Sequence, residues 1–177
     1  ISVLRRRLSG LYYGWRVIGL TALIRTVGGG VHGFGFTVFF LPIKTELGIS
    51  SAATALAFSL ARAEGAIEGP LGGYLIDRYG AKPVILIAAL LCGVGYILLS
   101  TIANYTSFLV VYIGVISLTF MPGFVHAPAV LATHWFTRYR ARALTSLSAA
   151  MPVGGAVIAP LLAIAIEAWG WRTAAFL

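Results

Sequence analysis

Gly69-Pro70-Leu71-Gly72-Gly73-Tyr74-Leu75-Ile76-Asp77-Arg78-Tyr79-Gly80-Ala81-Lys82-Pro83 separates two long apolar segments, and its reading decides the fold. The segment before it is interrupted by Arg62, Glu64 and Glu68, whereas the one after it runs uncharged to Ser100. Between them there is room only for a tight turn, and that turn carries Asp77, Arg78, Gly80 and Lys82. Gly69, Gly72 and Gly73 with Pro70 permit close helix contact and bending just before it.

The composition extends this reading to the whole chain. Apolar residues make up 59% of the 177, charged residues 10%, and the mean hydropathy is +0.93. Such a balance belongs to an integral membrane protein. The net charge of +8 would suggest nucleic acid in a soluble domain. Here most bases fall in short loops between apolar spans, where they set topology, so no nucleic-acid partner is expected. The lone Cys92 excludes an intrachain disulfide and a cysteine metal cluster. It reads as packing.

Apolar windows of spanning length, about 20 residues, fall at residues 15–41, 51–76, 83–101, 107–134 and 144–168, and a sixth begins at 173–177. Arg5, Arg6 and Arg7 precede an apolar run too long for a secretory signal, so the first window reads as a spanning helix. The chain begins at Ile1 and stops inside the sixth window, and it reads as a fragment truncated in span 6. Arg5, Arg6, Arg7, Arg16, Arg78, Lys82, Arg138, Arg140 and Arg142 fall on one side, against Lys44 and Arg172 on the other. The positive-inside rule then makes the N-terminus cytoplasmic. Tyr12, Tyr13, Trp15, Trp135, Trp169 and Trp171 lie at span ends, where amphipathic rings favour the headgroup level.

A short internal repeat accompanies this layout. Ile76-Asp77-Arg78-Tyr79-Gly80-Ala81-Lys82 and Ile166-Glu167-Ala168-Trp169-Gly170-Trp171-Arg172 share an apolar residue, an acid, an aromatic, a glycine and a base in register. They fall on opposite sides of the membrane, as two inverted three-helix units require.

The pattern Gly73-x-Leu75-x-Asp77-Arg78-x-Gly80-x-Lys82 resembles the loop between helices 2 and 3 of major facilitator superfamily transporters, departing from it at Ala81, where a base is frequent. The run from Trp135 to Leu144, followed by Gly154-Gly155, is similar to the entry into helix 5 of the monocarboxylate transporter and oxalate/formate antiporter branches. Gly155-x-x-x-Ala159-Pro160 is similar to a degraded form of the family's antiporter motif. The resemblance implies an all-α integral membrane protein, the N-terminal six-helix half of a twelve-helix fold built from two inverted three-helix repeats. It further implies that helices 1 and 4 line a central cavity. The loop residues Gly73, Asp77, Arg78, Gly80 and Lys82 would latch the halves on the cytoplasmic side, with Arg140 or Arg142 available to Asp77. The fourth span lacks the arginine often seen in proton-coupled members, so the resemblance leaves proton coupling open, and the expected transporter is a symporter or an antiporter.

Charges inside spans point to the chemistry, because each costs roughly 2.5 to 3.5 kcal/mol at a helix centre. Arg25 lies near mid-membrane, and at 100° per residue His32 returns to nearly the same face, flanked by Gly28 and Gly29. That face is either a cavity wall whose Arg25 receives an anion, or a packing face whose arginine pairs with Glu64 or Glu68. Glu64 and Glu68 lie one turn apart, with Arg62 turned away from them, and either share a coupling proton or balance Arg25. His126 follows Pro122 and precedes Pro128, in a bent helix where it either meets substrate or bonds a carbonyl. The substrate candidates are therefore Arg25, His32 and His126, and the proton or ion-pair candidates Arg62, Glu64 and Glu68. No nucleotide loop, zinc spacing, nucleophile elbow or redox motif occurs, which leaves an enzyme, a metal or a cofactor without support. The expected function is secondary transport of a small solute, by preference an organic anion such as a monocarboxylate or dicarboxylate, by alternating access in a cell membrane of the bacterial inner-membrane kind. The alternative is a transport-inactive scaffold or sensor on the same half-fold. The expected partners are the solute, the bilayer and a C-terminal half.

Overall fold

A computed structural model describes the backbone of residues 13–136 and 139–176. Six helices follow one another: α1 (Gly14–Glu46), α2 (Ser51–Tyr79), α3 (Ala81–Ser100), α4 (Tyr105–Trp135), α5 (Arg140–Trp169) and α6 (Trp171–Phe176). No strand occurs among the described residues. Four helices, α1, α3, α4 and α5, are long and apolar enough to cross a membrane. The 29-residue α2 has the length but carries Arg62, Glu64 and Glu68 within its central turns. Of these, Glu68 is buried in the bundle interior, only 1% exposed.

Local chemistry sets the helix ends. The Ser50 side chain accepts from the Ala53 amide (3.1 Å) to start α2, and Asn104 Oδ1 accepts from the Ser107 amide (2.8 Å) to start α4. α2 ends where Gly80 takes φ +87° and ψ 159°, a region essentially reserved for glycine, and its amide bonds the Ile76 carbonyl. α5 ends in the same way at Gly170, with φ +79°, ψ 156° and an amide bond to Ile166. The sequence repeat is thus a repeat of backbone conformation, ninety positions apart.

Packing follows the same symmetry in part: α1 packs chiefly on α5, whereas α4 packs on α2 but more extensively on α3. The α1–α5 approach depends on glycines. A Cβ on Gly154 would run into the Thr26 carbonyl, and one on Gly30 would stand 2.7 Å from the Gly154 oxygen. Gly28 and Gly29 face Phe124 and Met151 in the same way, so they serve helix contact. In the α2 glycine cluster only Gly72 meets a neighbour, Pro122 of α4, while Gly69 and Gly73 face open space.

α1 and α4 are not uniform α-helices. Gly29–Phe34 in α1, and Tyr112–Ser117 and Met121–His126 in α4, are wound as π turns, with the Gly35 amide reaching the Gly30 carbonyl at 2.8 Å. In α4, Pro122 and Pro128 lack the amides an α-helix would use, which favours the wider turn between them.

Tight contacts on the side opposite the α2–α3 turn tie three helix ends together. Arg172 bonds Glu46 Oε1 (2.9 Å) and donates to the carbonyls of Ser100 (2.6 Å) and Ile102 (2.8 Å), while the Trp171 indole donates to Glu46 Oε2. Trp171 is buried and so is part of this knot rather than of a headgroup belt; Trp15, Trp135 and Trp169 remain exposed at helix ends. Tyr12, Arg5, Arg6, Arg7, Arg138 and the side chains of Tyr13 and Arg62 lie outside the described residues.

Candidate functional site

A cavity of about 330 Å³ opens where α1, α2 and α4 face one another. α1 contributes His32, Gly33, Phe36 and Thr37; α2 contributes Phe58, Ala61, Gly65 and Glu68; α4 contributes Tyr112, Ser117, Phe120 and Met121; and α5 adds Met151. Tyr112 and Ser117 would sit about 140° apart on an α-helix. The intervening π turn takes roughly one residue more per turn and brings both to the cavity.

The wall is aromatic with one carboxylate. Phe36 stacks on Tyr112 at 4.3 Å between ring centroids, His32 lies 4.6 Å from Phe120, and Phe58 lies 5.7 Å from Phe36. Glu68 is the charged member of the lining, and no arginine or lysine accompanies it among the described residues. Its Oε1 atom is buried without a hydrogen-bond partner, as is Oε2 of Glu64 one turn earlier. The Ser117 hydroxyl lies within hydrogen-bonding reach of Glu64. His32 is held by Tyr96 of α3, whose hydroxyl lies 3.4 Å from His32 Nδ1 and 3.3 Å from the Val31 carbonyl that the π turn frees. Among the described residues no group of three His, Cys, Asp or Glu side chains could hold a metal ion.

The sequence candidates separate on this map. His32, Glu68 and, behind Glu68, Glu64 come together. Arg25 does not join them: it is half-buried on the part of α1 that packs on α4 and α5, its Nε has no hydrogen-bond partner, and it makes no ion pair with Glu64 or Glu68. The expectation of an Arg25–glutamate pair is corrected by geometry. The π turn after Gly28 breaks the 100° phase that would put Arg25 and His32 on one face. His126 sits against Gly72 at the α2–α4 crossing, outside the cavity wall. Sequence reasoning missed the ring wall and Ser117, because neither aromatic spacing nor a lone serine marks a π-wound helix.

In the α2–α3 turn, Arg78 donates to the Tyr74 hydroxyl (2.6 Å) and lies over the Tyr74 and Tyr79 rings. Asp77 pairs with neither Arg140 nor Arg142, and the Arg142 guanidinium lies over the Tyr139 ring instead. The expected Asp77 pairing within this half is therefore absent among the described residues.

Similarity to known proteins agrees with this architecture. Monocarboxylate transporter 3 of Mus musculus is 30% identical over 167 residues, covering 90% of this chain and 32% of that protein. The oxalate:formate antiporter of Oxalobacter formigenes is 26% identical over 161 residues, covering 88% of this chain and 37% of that protein. Sialic acid transporter NanX of Escherichia coli (strain K12) is 28% identical over 148 residues, covering 82% and 36% respectively. The chain thus spans about a third of the length of these relatives. Residues 10–177 match the Major Facilitator Superfamily, so nearly the whole sequence is accounted for by one family. With its apolar helices and inverted glycine turns, this chain is a multi-pass membrane protein that belongs to the Major Facilitator Superfamily.

Proposed function

We propose that the chain is part of a secondary transporter that moves a small organic anion together with a proton, the proton residing on Glu68. The observation that carries this reading is Glu68 itself, 1% exposed, with an unpartnered carboxyl oxygen in the cavity wall and Glu64 beside it. A second charge in so apolar a place is costly. An anionic solute therefore enters only when Glu68 holds a proton, and the empty site resets by releasing it. That rule couples the two movements without a separate gate for the proton. His32, fixed by Tyr96, presents its ring to the same cavity and orients the solute.

Arg25 supplies the attracting charge in this scheme, two turns from His32 towards the N-terminus of α1, where its guanidinium meets a carboxylate as the helices shift. The relatives named for monocarboxylates, oxalate and formate, and sialic acid support an acidic solute. The bases of the α2–α3 turn and of the start of α5 support a cytoplasmic N-terminus in a cell membrane, and in this reading the α2–α3 turn latches this half to its partner half.

The test is uptake of small monocarboxylates and dicarboxylates into liposomes containing the protein, with and without an inward proton gradient. Glu68→Gln is expected to abolish gradient-driven accumulation while anion exchange persists, and Arg25→Ala to raise KM. A Glu68→Gln protein that still accumulates solute with the gradient overturns the assignment. Absence of saturable uptake in a protein carrying both halves favours a scaffold or sensor instead. A second reading, an ammonium-bearing solute held by Glu68 and the ring wall, is favoured by the lack of a cation among the described lining residues. It predicts that Glu68→Gln loses binding and exchange altogether.

A further inference from the structure

A second hollow, of about 490 Å³, lies between α1 and α2 towards the side of their connection, lined by Thr37, Phe40, Ala55, Phe58 and Ser59. It shares two residues with the Glu68 cavity, Thr37 and Phe58. The two spaces therefore adjoin at these two side chains. Phe58 is held from both directions: its ring lies 5.5 Å from Phe40 on the outer side, and 5.7 Å from Phe36 and 5.5 Å from Tyr112 on the inner side. Opposite it, the Thr37 hydroxyl donates to the Phe34 carbonyl (2.6 Å), and further out the Ser59 hydroxyl donates to the Ala55 carbonyl (3.0 Å). With their protons spent on backbone, these hydroxyls offer a passing solute only acceptor lone pairs. An anion gains nothing by stopping there.

We propose that the outer hollow is a vestibule and that Phe58, facing Thr37, is the threshold ring that sets the cross-section of the solute reaching Glu68. The specificity part rests on the transport reading, whereas the passage itself does not. Phe58 stands in this role through its size and its tilted ring contacts, and it carries no charge that a substitution would strand.

Two single-cysteine positions separate the spaces. Gly65 lines the inner cavity and has open space where a Cβ would be built, so Gly65→Cys fits without displacing a neighbour. Ser59→Cys lines the vestibule. Cys92 is buried, and the parent protein measures its background. A membrane-impermeant methanethiosulfonate reagent is added from the side of the α1–α2 connection. Adding Phe58→Ala is expected to speed labelling of Gly65→Cys several-fold, and adding Phe58→Trp to slow it several-fold, with Ser59→Cys labelled at one rate in all three backgrounds. Equal Gly65→Cys rates across the three overturn the threshold. Because the Ser59→Cys rate also reports correct folding, a misfolded variant is recognised by a change there, and the Phe58→Leu variant then repeats the comparison. In uptake assays Phe58→Ala should widen the accepted range towards branched and aromatic carboxylates. Changed labelling without any uptake leaves the threshold standing and counts against the transport reading alone.

Discussion

The α2–α3 and α5–α6 turns have the same backbone and opposite surroundings. Gly80 and Gly170 differ by 8° in φ and 3° in ψ, and each caps its helix by bonding the isoleucine four residues earlier. Yet Arg172, the base two residues after Gly170, is fixed by Glu46 and two carbonyls at the end of α3, whereas Lys82, two residues after Gly80, makes no ion pair. The two turns share a backbone scaffold and differ in what their side chains meet. One side is closed by its own residues, and the other carries an acid and bases with no ion pair among the described residues.

The largest expected effect tests the shared part. A side chain at either glycine meets no neighbour, so the cost of Gly80→Ala or Gly170→Ala is conformational alone, roughly 1 to 3 kcal/mol each. Thermal unfolding in detergent should show two similar losses. A loss at one position only would mean that the turns are alike in shape but not in how firmly the surrounding helices impose it.

Next in size is Arg172→Ala, which strands the carbonyls of Ser100 and Ile102 and frees Glu46. Charge-assisted bonds to the end of a helix suggest a loss of about 2 kcal/mol, because the site is partly exposed. Lys82→Ala should lose much less in the same measurement. Equal losses would break the contrast between a closed and an open side. Glu46→Gln follows as a smaller change than Arg172→Ala, since the amide still accepts from Trp171 and the carboxylate it replaces is open to water.

How far the sequence led differs between fold and site for the same physical reason. Helical membrane architecture, the tight Gly80 turn and its partner at Gly170 follow from composition and from residue types that tolerate few conformations. A glycine before a base after an acidic helix end leaves little choice. The cavity wall depends instead on helical phase, and phase fails where α1 and α4 are wound as π turns. Arg25 and His32 are aligned by a 100° rule that Gly29–Phe34 does not obey, and the same rule would separate Tyr112 from Ser117, neither of which stands out in the sequence. The Glu46–Trp171 contact was equally hidden, because it joins residues 125 positions apart. Glu68 was found because a carboxylate within an apolar segment is conspicuous whatever the phase.

The smallest expected effect is the sharpest test of the open side. Asp77 makes no ion pair among the described residues and lies on an exposed turn, so Asp77→Asn should shift the unfolding midpoint of this chain hardly at all, within about 0.5 kcal/mol. The same change should matter if the turn latches to another half, because a charge kept without a local partner then acts only when that partner is present. Comparing the variant's stability in this chain with its transport in a protein carrying both halves separates the two roles. Normal stability with impaired uptake fits a latch. Reduced stability in this chain alone would mean that Asp77 already supports the turn, and the two sides would then be more alike than their contacts suggest.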